Sequence, residues 1–412
     1  MNTTNKNWNR RRFLSLAALT AIGAAGASAS FSKPLLRNPC RDPALLDLGD
    51  DPWLRQVWQG IDPAQVWDCH VHLAGVGDSG KGLVVGEQLT SAWHPLLNIQ
   101  RLFYINGSCS AAADGALDDN YVQRLATLLR NMPAGYKAML FAFDWLRDEN
   151  GAPLPARSTF YIPNDYARAV AASHPDVFEW VASIHPYQAD AVEQLHAAAA
   201  QGARAVKWLP ATQNIDPASP RCDAFFAALA QLKLPLITHA GEEKATVADG
   251  LEYLGNPLRL RRALDAGVRV IVAHCGSHGT DEDLDRPGTR QPSFALFGRL
   301  MDEPRWRGNL YGDISALTLR NHDSSIIGEL LLREDWHYRL LNGSDYPLPG
   351  IVPIVSPGAL ARDGLLPKEA VPTLETLREY NPLLFDFALK RLLSWQGKSF
   401  PATVFETRSV FT

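Results

Sequence analysis

The feature that most constrains this chain is a recurrence. From residue 63 onward, short apolar segments rich in β-branched residues alternate with helical patterns, and polar residues close nearly all of the segments. Eight stand in order: Val66 to Leu73, Lys137 to Asp144, Trp180 to Ile184, Ala203 to Trp208, Leu236 to His239, Val268 to His274, Asn309 to Ile314 and Arg339 to Ser344. This alternation is the pattern of βαβ units and a parallel sheet. Eight units are what an α/β (β/α)8 TIM barrel requires. The competing architecture is a doubly wound open sheet, but no glycine-rich phosphate loop follows the first segment. Leu102 to Ile105 would make a ninth strand. It falls in the stretch 75–135, too long for one loop and one helix, which we read as a helical insertion over the barrel mouth.

The polar residues at the segment ends carry the chemistry. His70 and His72 are separated by one residue, so a strand's two-residue period puts both imidazoles on one face. From Lys207 through His239, His274 and Asp313 to Asp345, the intervals are 32, 35, 39 and 32 residues, each close to one strand-plus-helix unit. The five therefore recur at equivalent places around the barrel, at the end where barrel enzymes build their sites. A lone His or Asp at a strand end is usually a hydrogen-bonded core residue; five in register with a His-x-His on the first strand point to a divalent-metal centre. Alternation would turn Cys69 and Cys275 away from whatever their neighbouring histidines face. Glu242 and Glu243 follow His239 closely and could reach the substrate, but read first as a solvated loop. Trp145, Arg147, His94 and His278 fall on mouth loops, and His174, His185, His196, His322 and His337 read as structural.

The blocks Asp68-Cys69-His70-Val71-His72, Val206-Lys207-Trp208-Leu209-Pro210, Thr238-His239-Ala240-Gly241, Ala273-His274-Cys275-Gly276 and Asn342-Gly343-Ser344-Asp345-Tyr346-Pro347 resemble signature blocks of the amidohydrolase superfamily. More narrowly, they are similar to its amidohydrolase-related branch, which also contains aminocarboxymuconate semialdehyde decarboxylase. The likeness runs over residues 63–390 and includes Asn381-Pro382. It implies that His70, His72, His239 and Asp345 bind a divalent metal, usually zinc, with His274 beside it as acid/base or carbonyl-polarising group. Three imidazoles and a carboxylate are ordinary zinc ligands, and bound zinc generates hydroxide at neutral pH. Asp345 would move the proton, and Asp68 would support the ligands from behind. In some branches a lysine at the place of Lys207 is carboxylated and bridges a second metal. The branch resembled here commonly has Lys-Leu-His-Pro where this chain has Lys207-Trp208-Leu209-Pro210, so the role of Lys207 stays open between a second metal and, with one metal, pairing a substrate carboxylate or an inner carboxylate such as Asp345. Asp313 is open between substrate contact and strand anchor.

The expected activity is hydrolysis of a carboxylic ester, lactone or amide in a small-molecule substrate by metal-bound hydroxide. The alternative is metal-dependent decarboxylation of an unsaturated or aromatic acid, because the branch contains both chemistries.

Composition enters at two points. Lys and Arg number 40 against 44 Asp and Glu, spread along the chain, so no basic face is offered to nucleic acid. The five cysteines, 40, 69, 109, 222 and 275, are odd in number and widely spaced, which suggests free thiols rather than a disulfide framework. The start of the chain carries an address. Asn9-Arg10-Arg11-Arg12-Phe13-Leu14 precedes an Ala/Gly/Leu-rich run and Ala27-Ser28-Ala29, resembling a twin-arginine signal over residues 1–29 that is cut after Ala29. The expectation is a periplasmic or otherwise exported protein carried by the twin-arginine machinery. Residues 30–62 read as an irregular lead-in, 63–350 as the barrel and 351–412 as a C-terminal helical segment, with Thr376 to Trp395 helical. The assembly is open, with a homodimer the commonest case.

Overall fold

The computed structural model describes residues 36–112, 114–243, 246 and 250–412; the signal expected over 1–29 lies outside the described residues. Eight parallel strands form the barrel: β1 Trp67–His72, β2 Lys137–Phe141, β3 Phe178–Val181, β4 Val206–Trp208, β5 Leu236–Thr238, β6 Val270–Val272, β7 Leu310–Asp313 and β8 Leu340–Leu341. β1, β2 and β3 pair in sequence, as do β4 through β8. Parallel bridges close both seams, Ala182 with Val206 and Val71 with Tyr346. Closure leaves no free edge, which lets strands this short persist.

Alternation along the strands divides the core. Trp67, Cys69, Met139, Phe141, Val181, Ala205, Ile237, Ile271 and Leu341 fill the barrel interior, while Val66, Val71, Ala138, Leu140, Val270 and Val272 face the helices. The chain's end seals the N-terminal end of the barrel. Phe411 joins the interior cluster, and the Thr407 hydroxyl accepts a hydrogen bond from the Trp67 amide at 3.2 Å.

β1 departs from the expected alternation. Its register with β2 matches Asp68 to Ala138 and Val71 to Leu140, so Cys69 and His70 together oppose Met139 alone. Two residues against one is a β-bulge. Cys69 therefore stays inside the barrel, against expectation, while His70 is also turned inward and packs on Phe141.

Leu102 to Ile105 belongs to the helix Pro95–Ser108 rather than to a ninth strand. That helix lies against the turn after β8 so closely that a Cβ on Gly350 would come 2.0 Å from the Gly107 carbonyl oxygen. The Tyr346 hydroxyl donates to the Ser108 carbonyl at 2.9 Å, and Cys109 forms a disulfide with Cys40. That pairing corrects the expectation of free thiols. The two cysteines lie 69 residues apart, but their Cα atoms are 5.5 Å apart. Cys69, Cys222 and Cys275 are buried and unpaired.

The helix expected over Thr376 to Trp395 is two helices, Val371–Tyr380 and Pro382–Leu392. Pro382 supplies no N–H and bars its predecessor from helical geometry. Asn381 is extended instead, and its side chain accepts from the Leu383 and Leu384 amides. Ser394–Trp395 then pairs antiparallel with Lys398–Ser399. Among the described residues no helix is long and apolar enough to cross a membrane.

Candidate metal centre

The strand ends deliver their polar residues to one place. His72 Nε2 lies 3.0 Å and His70 Nε2 3.5 Å from Asp345 Oδ1, and His274 Nε2 lies 3.9 Å from Asp345 Oδ2. One ligand atom each from His70, His274 and Asp345 falls within a mutual 4.8 Å. Ligands at zinc bond lengths of about 2.1 Å in a tetrahedron stand about 3.4 Å apart, so this spacing suits one small cation. His239 is set differently: its Nε2 lies 3.3 Å from Glu243 Oε2, and its ring is 5.4 Å from that of His274.

Hydrogen bonding fixes which ring nitrogens face the centre. The Asp313 carboxylate holds His70 Nδ1 at 2.9 Å, leaving Nε2 as a lone-pair donor toward the cavity. The other Asp313 oxygen accepts the His274 and Ser315 amides, both at 3.0 Å. Asp313 is fully buried behind the histidines, where its carboxylate meets the His70 ring and the His274 backbone amide. His274 Nδ1 lies 3.1 Å from the Ser315 carbonyl oxygen, which can only accept. Its proton therefore sits on Nδ1, and its Nε2 also offers a lone pair. His274 and Asp345 both carry positive φ, 55° and 58°, a conformation that surrounding contacts must hold in place.

Electrostatics favour the protonation states a cation needs. Burial, with help from Lys207, lowers the His70 imidazole to about 4, and burial lowers His239 and holds His274 well below its ordinary value. Burial alone would raise Asp345, but the adjacent His70, His72 and His274 outweigh it and hold the carboxyl well below the usual range. Asp313 is likewise held down against its burial, chiefly by His70. Burial thus favours the neutral ring at His70, His239 and His274, and the histidine cluster favours the ionised carboxylate at Asp345.

Lys207 is buried with Nζ 3.4 Å from His70 Nε2 and 4.9 Å from the centre of the Phe141 ring. Burial lowers its pKa, while Asp313, Asp345 and Glu243 pull it back up. Those three carboxylates against one lysine leave a formal excess of two negative charges, which one divalent cation balances.

Two residues here depart from their first sequence reading. Glu243 is not the solvated-loop residue that the sequence favours over substrate reach: its side chain is only 11% exposed and turned to His239. Tyr104, on the inserted helix and bonded to Gln100, is raised by burial, and the charges of Glu243 and Asp345 add to that rise. Of the mouth-loop residues, His278 stacks on His322 at 5.0 Å, and Arg147 closes on Asp144 at 3.0 Å. His185 is a structural ring, bonded to the Gln213 carbonyl.

Among curated proteins none matches this chain. Solved structures do. An uncharacterized TIM-barrel protein from Bordetella bronchiseptica is 16% identical, covering 69% of this chain and 86% of that one, with a TM-score of 0.45. A proposed 2-pyrone-4,6-dicarboxylic acid hydrolase from Pseudomonas putida is 18% identical over 78% and 97%, with a TM-score of 0.41. The 5-carboxyvanillate decarboxylase of Sphingomonas paucimobilis is 11% identical over 84% and 98%, with a TM-score of 0.47. The family model described as Amidohydrolase matches residues 67–350, from the first residue of β1 to beyond Asp345, and the chain belongs to that family of metal-dependent enzymes.

Proposed function

We propose that this enzyme hydrolyses a carboxylic ester, lactone or amide at one divalent metal ion, most suitably zinc for a site dominated by imidazole. The observation that carries the reading is the convergence of His70, His72, His274 and an ionised Asp345, with Asp313 orienting His70 from behind. His70, His72 and Asp345 would hold the ion. His239 and His274 divide the remaining tasks of ligand and acid–base group; the family resemblance gives the ligand role to His239, while His274 has its Nε2 lone pair nearer Asp345. A bound divalent ion supplies Lewis acidity and lowers the pKa of coordinated water from 15.7 to about 7. Asp345, kept anionic by its histidine neighbours, accepts a proton from the attacking water and returns it to the leaving atom. Lys207 would face a substrate carboxylate or carbonyl oxygen; its carboxylation to bridge a second metal is the competing outcome.

The test is metal analysis of the purified protein and of His70→Ala/His72→Ala, with a screen of esters, lactones, amides and carboxylic acids. We expect about one zinc per chain, lost with activity in the variant. Two metals per chain would overturn the mononuclear reading. Carbon dioxide release from an acid, with no hydrolysis, would overturn the choice of reaction. Separate His239→Ala and His274→Ala variants assign the ligand as whichever loses metal. We also propose export by the twin-arginine route. The Cys40–Cys109 disulfide supports it, since such bonds persist in oxidising compartments. Cell fractionation with and without Arg11→Lys/Arg12→Lys tests it; a cytoplasmic location for the unaltered chain would refute it.

A further inference from the structure

Behind the candidate metal centre, on the outer side of β1 and β8, lies a second group of ionisable side chains that the proposed chemistry does not use. Asp68, Asp386 and Lys390 are all buried, at 0%, 3% and 1% exposure. Lys390 and Asp386 are one turn apart on the helix Pro382–Leu392, with Lys390 Nζ 2.6 Å from Asp386 Oδ2. The same ammonium donates to the Gly343 carbonyl at 2.5 Å. Asp68 Oδ1 accepts the Ser344 amide at 2.8 Å and the His70 amide at 3.2 Å, and its Oδ2 has no partner.

These bonds end on the backbone that carries two candidate ligands. Gly343 and Ser344 immediately precede Asp345, and the Asp345 amide donates to the His70 carbonyl at 2.8 Å. Gly343 also backs onto His70, where a Cβ would stand 2.6 Å from the His70 Cβ. The Asp345 backbone is left-handed, a conformation that persists only where neighbouring contacts over-determine it. A buried cation is an expensive way to hold one carbonyl unless that carbonyl's position matters.

We propose that Lys390 is a positioning residue for the metal centre: with Asp386 as counter-ion and Asp68 tying the His70 and Ser344 amides, it fixes the spacing between His70 and Asp345. The inference rests on the metal reading above and extends it to a residue on the C-terminal helix that touches neither metal nor substrate. Supporting contacts of this kind change metal affinity about 10–100-fold when removed from first-ligand partners; one step further back, we expect about tenfold.

Removing Lys390 alone would strand the Asp386 charge, so the test uses the double substitution Lys390→Met/Asp386→Leu, which removes both charges at similar volume. Lys390→Arg is the conservative variant. The probe is Co2+, read by its visible absorption and by competition with a chelator, alongside urea unfolding of the metal-free proteins. We expect the double variant to fold, to bind Co2+ about tenfold more weakly and to show a shifted visible band, with Lys390→Arg recovering part of both. A folded double variant with the unaltered protein's affinity and spectrum would overturn the inference. If the double variant fails to fold, refolded Lys390→Met decides: an unaltered spectrum and affinity there would overturn the inference, and a shifted band with weaker binding would support it. Failure of the unaltered protein to bind Co2+ would instead overturn the metal reading itself and this inference with it.

Discussion

Replacing Cys40 and Cys109 with serine should lower the melting temperature by about 5 °C. The disulfide spans 69 residues of chain. On the chain-entropy model, closing a ring of that size removes roughly 15 cal/mol/K from the unfolded ensemble, which is about 4 kcal/mol at 25 °C. Unfolding entropy near 60 °C is about 2.1 cal/mol/K per residue, so residues 36–412 have about 0.8 kcal/mol/K in all. Their ratio gives the shift. The native arrangement has a second tie at the same place, because the Asn38 amide donates to Asn106 Oδ1 at 2.9 Å and Asn106 Nδ2 to the Asn38 carbonyl at 3.1 Å. The lead-in should therefore stay docked in the variant, and the loss should come from the unfolded state. The assay is calorimetric melting of protein prepared under oxidising conditions, with and without a phosphine reductant, beside Cys40→Ser/Cys109→Ser. Reductant should bring the unaltered protein to the variant's melting point and leave the variant unmoved. Alkylation after denaturation should label three thiols, Cys69, Cys222 and Cys275, and five after reduction. Five labelled thiols without reduction, or equal melting points, would refute the reasoning.

Three further outcomes follow from individual contacts. In His185 the Nε2–H donates to the Gln213 carbonyl and Nδ1 accepts the Tyr187 amide, so a second proton would meet another N–H; burial lowers this ring to about 3. Since the unfolded ring protonates near 6.5, its contribution should be intact above that pH and be lost as pH falls toward 3, at up to about 1.4 kcal/mol per unit. Urea unfolding against pH should show a shallower acid slope in His185→Gln, and an unchanged slope would rule this source out. Phe411→Ala should lower stability by about 3–5 kcal/mol by unsealing the barrel's N-terminal end; a loss below about 1 kcal/mol in urea titration would mean that the tail does not seal it. Asp313→Asn should weaken metal binding about 10–100-fold by releasing His70 Nδ1, and chelator competition giving the unaltered affinity would dismiss Asp313 as the orienting group.

The barrel was legible in the sequence because its signal is local. Each strand announces itself by a few β-branched and apolar residues, and the spacing of Lys207, His239, His274, Asp313 and Asp345 reports the length of one βα unit. The break at Asn381-Pro382 was also written in the chain, as a proline with a capping asparagine before it, although the apolar period running through it reads as one helix. Other features have no local signature. The bulge that turns both Cys69 and His70 inward exists only because one residue of β2, Met139, stands opposite two of β1. The Cys40–Cys109 pair depends on a helix docking through the glycine contact at Gly107 and Gly350. Asp313 could not be told from a substrate contact until His70, 243 residues away, was placed against it. Sequence alone thus determined which residues arrive at the mouth of the barrel, because strand period and unit length are properties of neighbouring residues. Tertiary structure decided which atoms of those residues face one another, because that is set by bulges, register and buried hydrogen bonds between segments far apart in the chain.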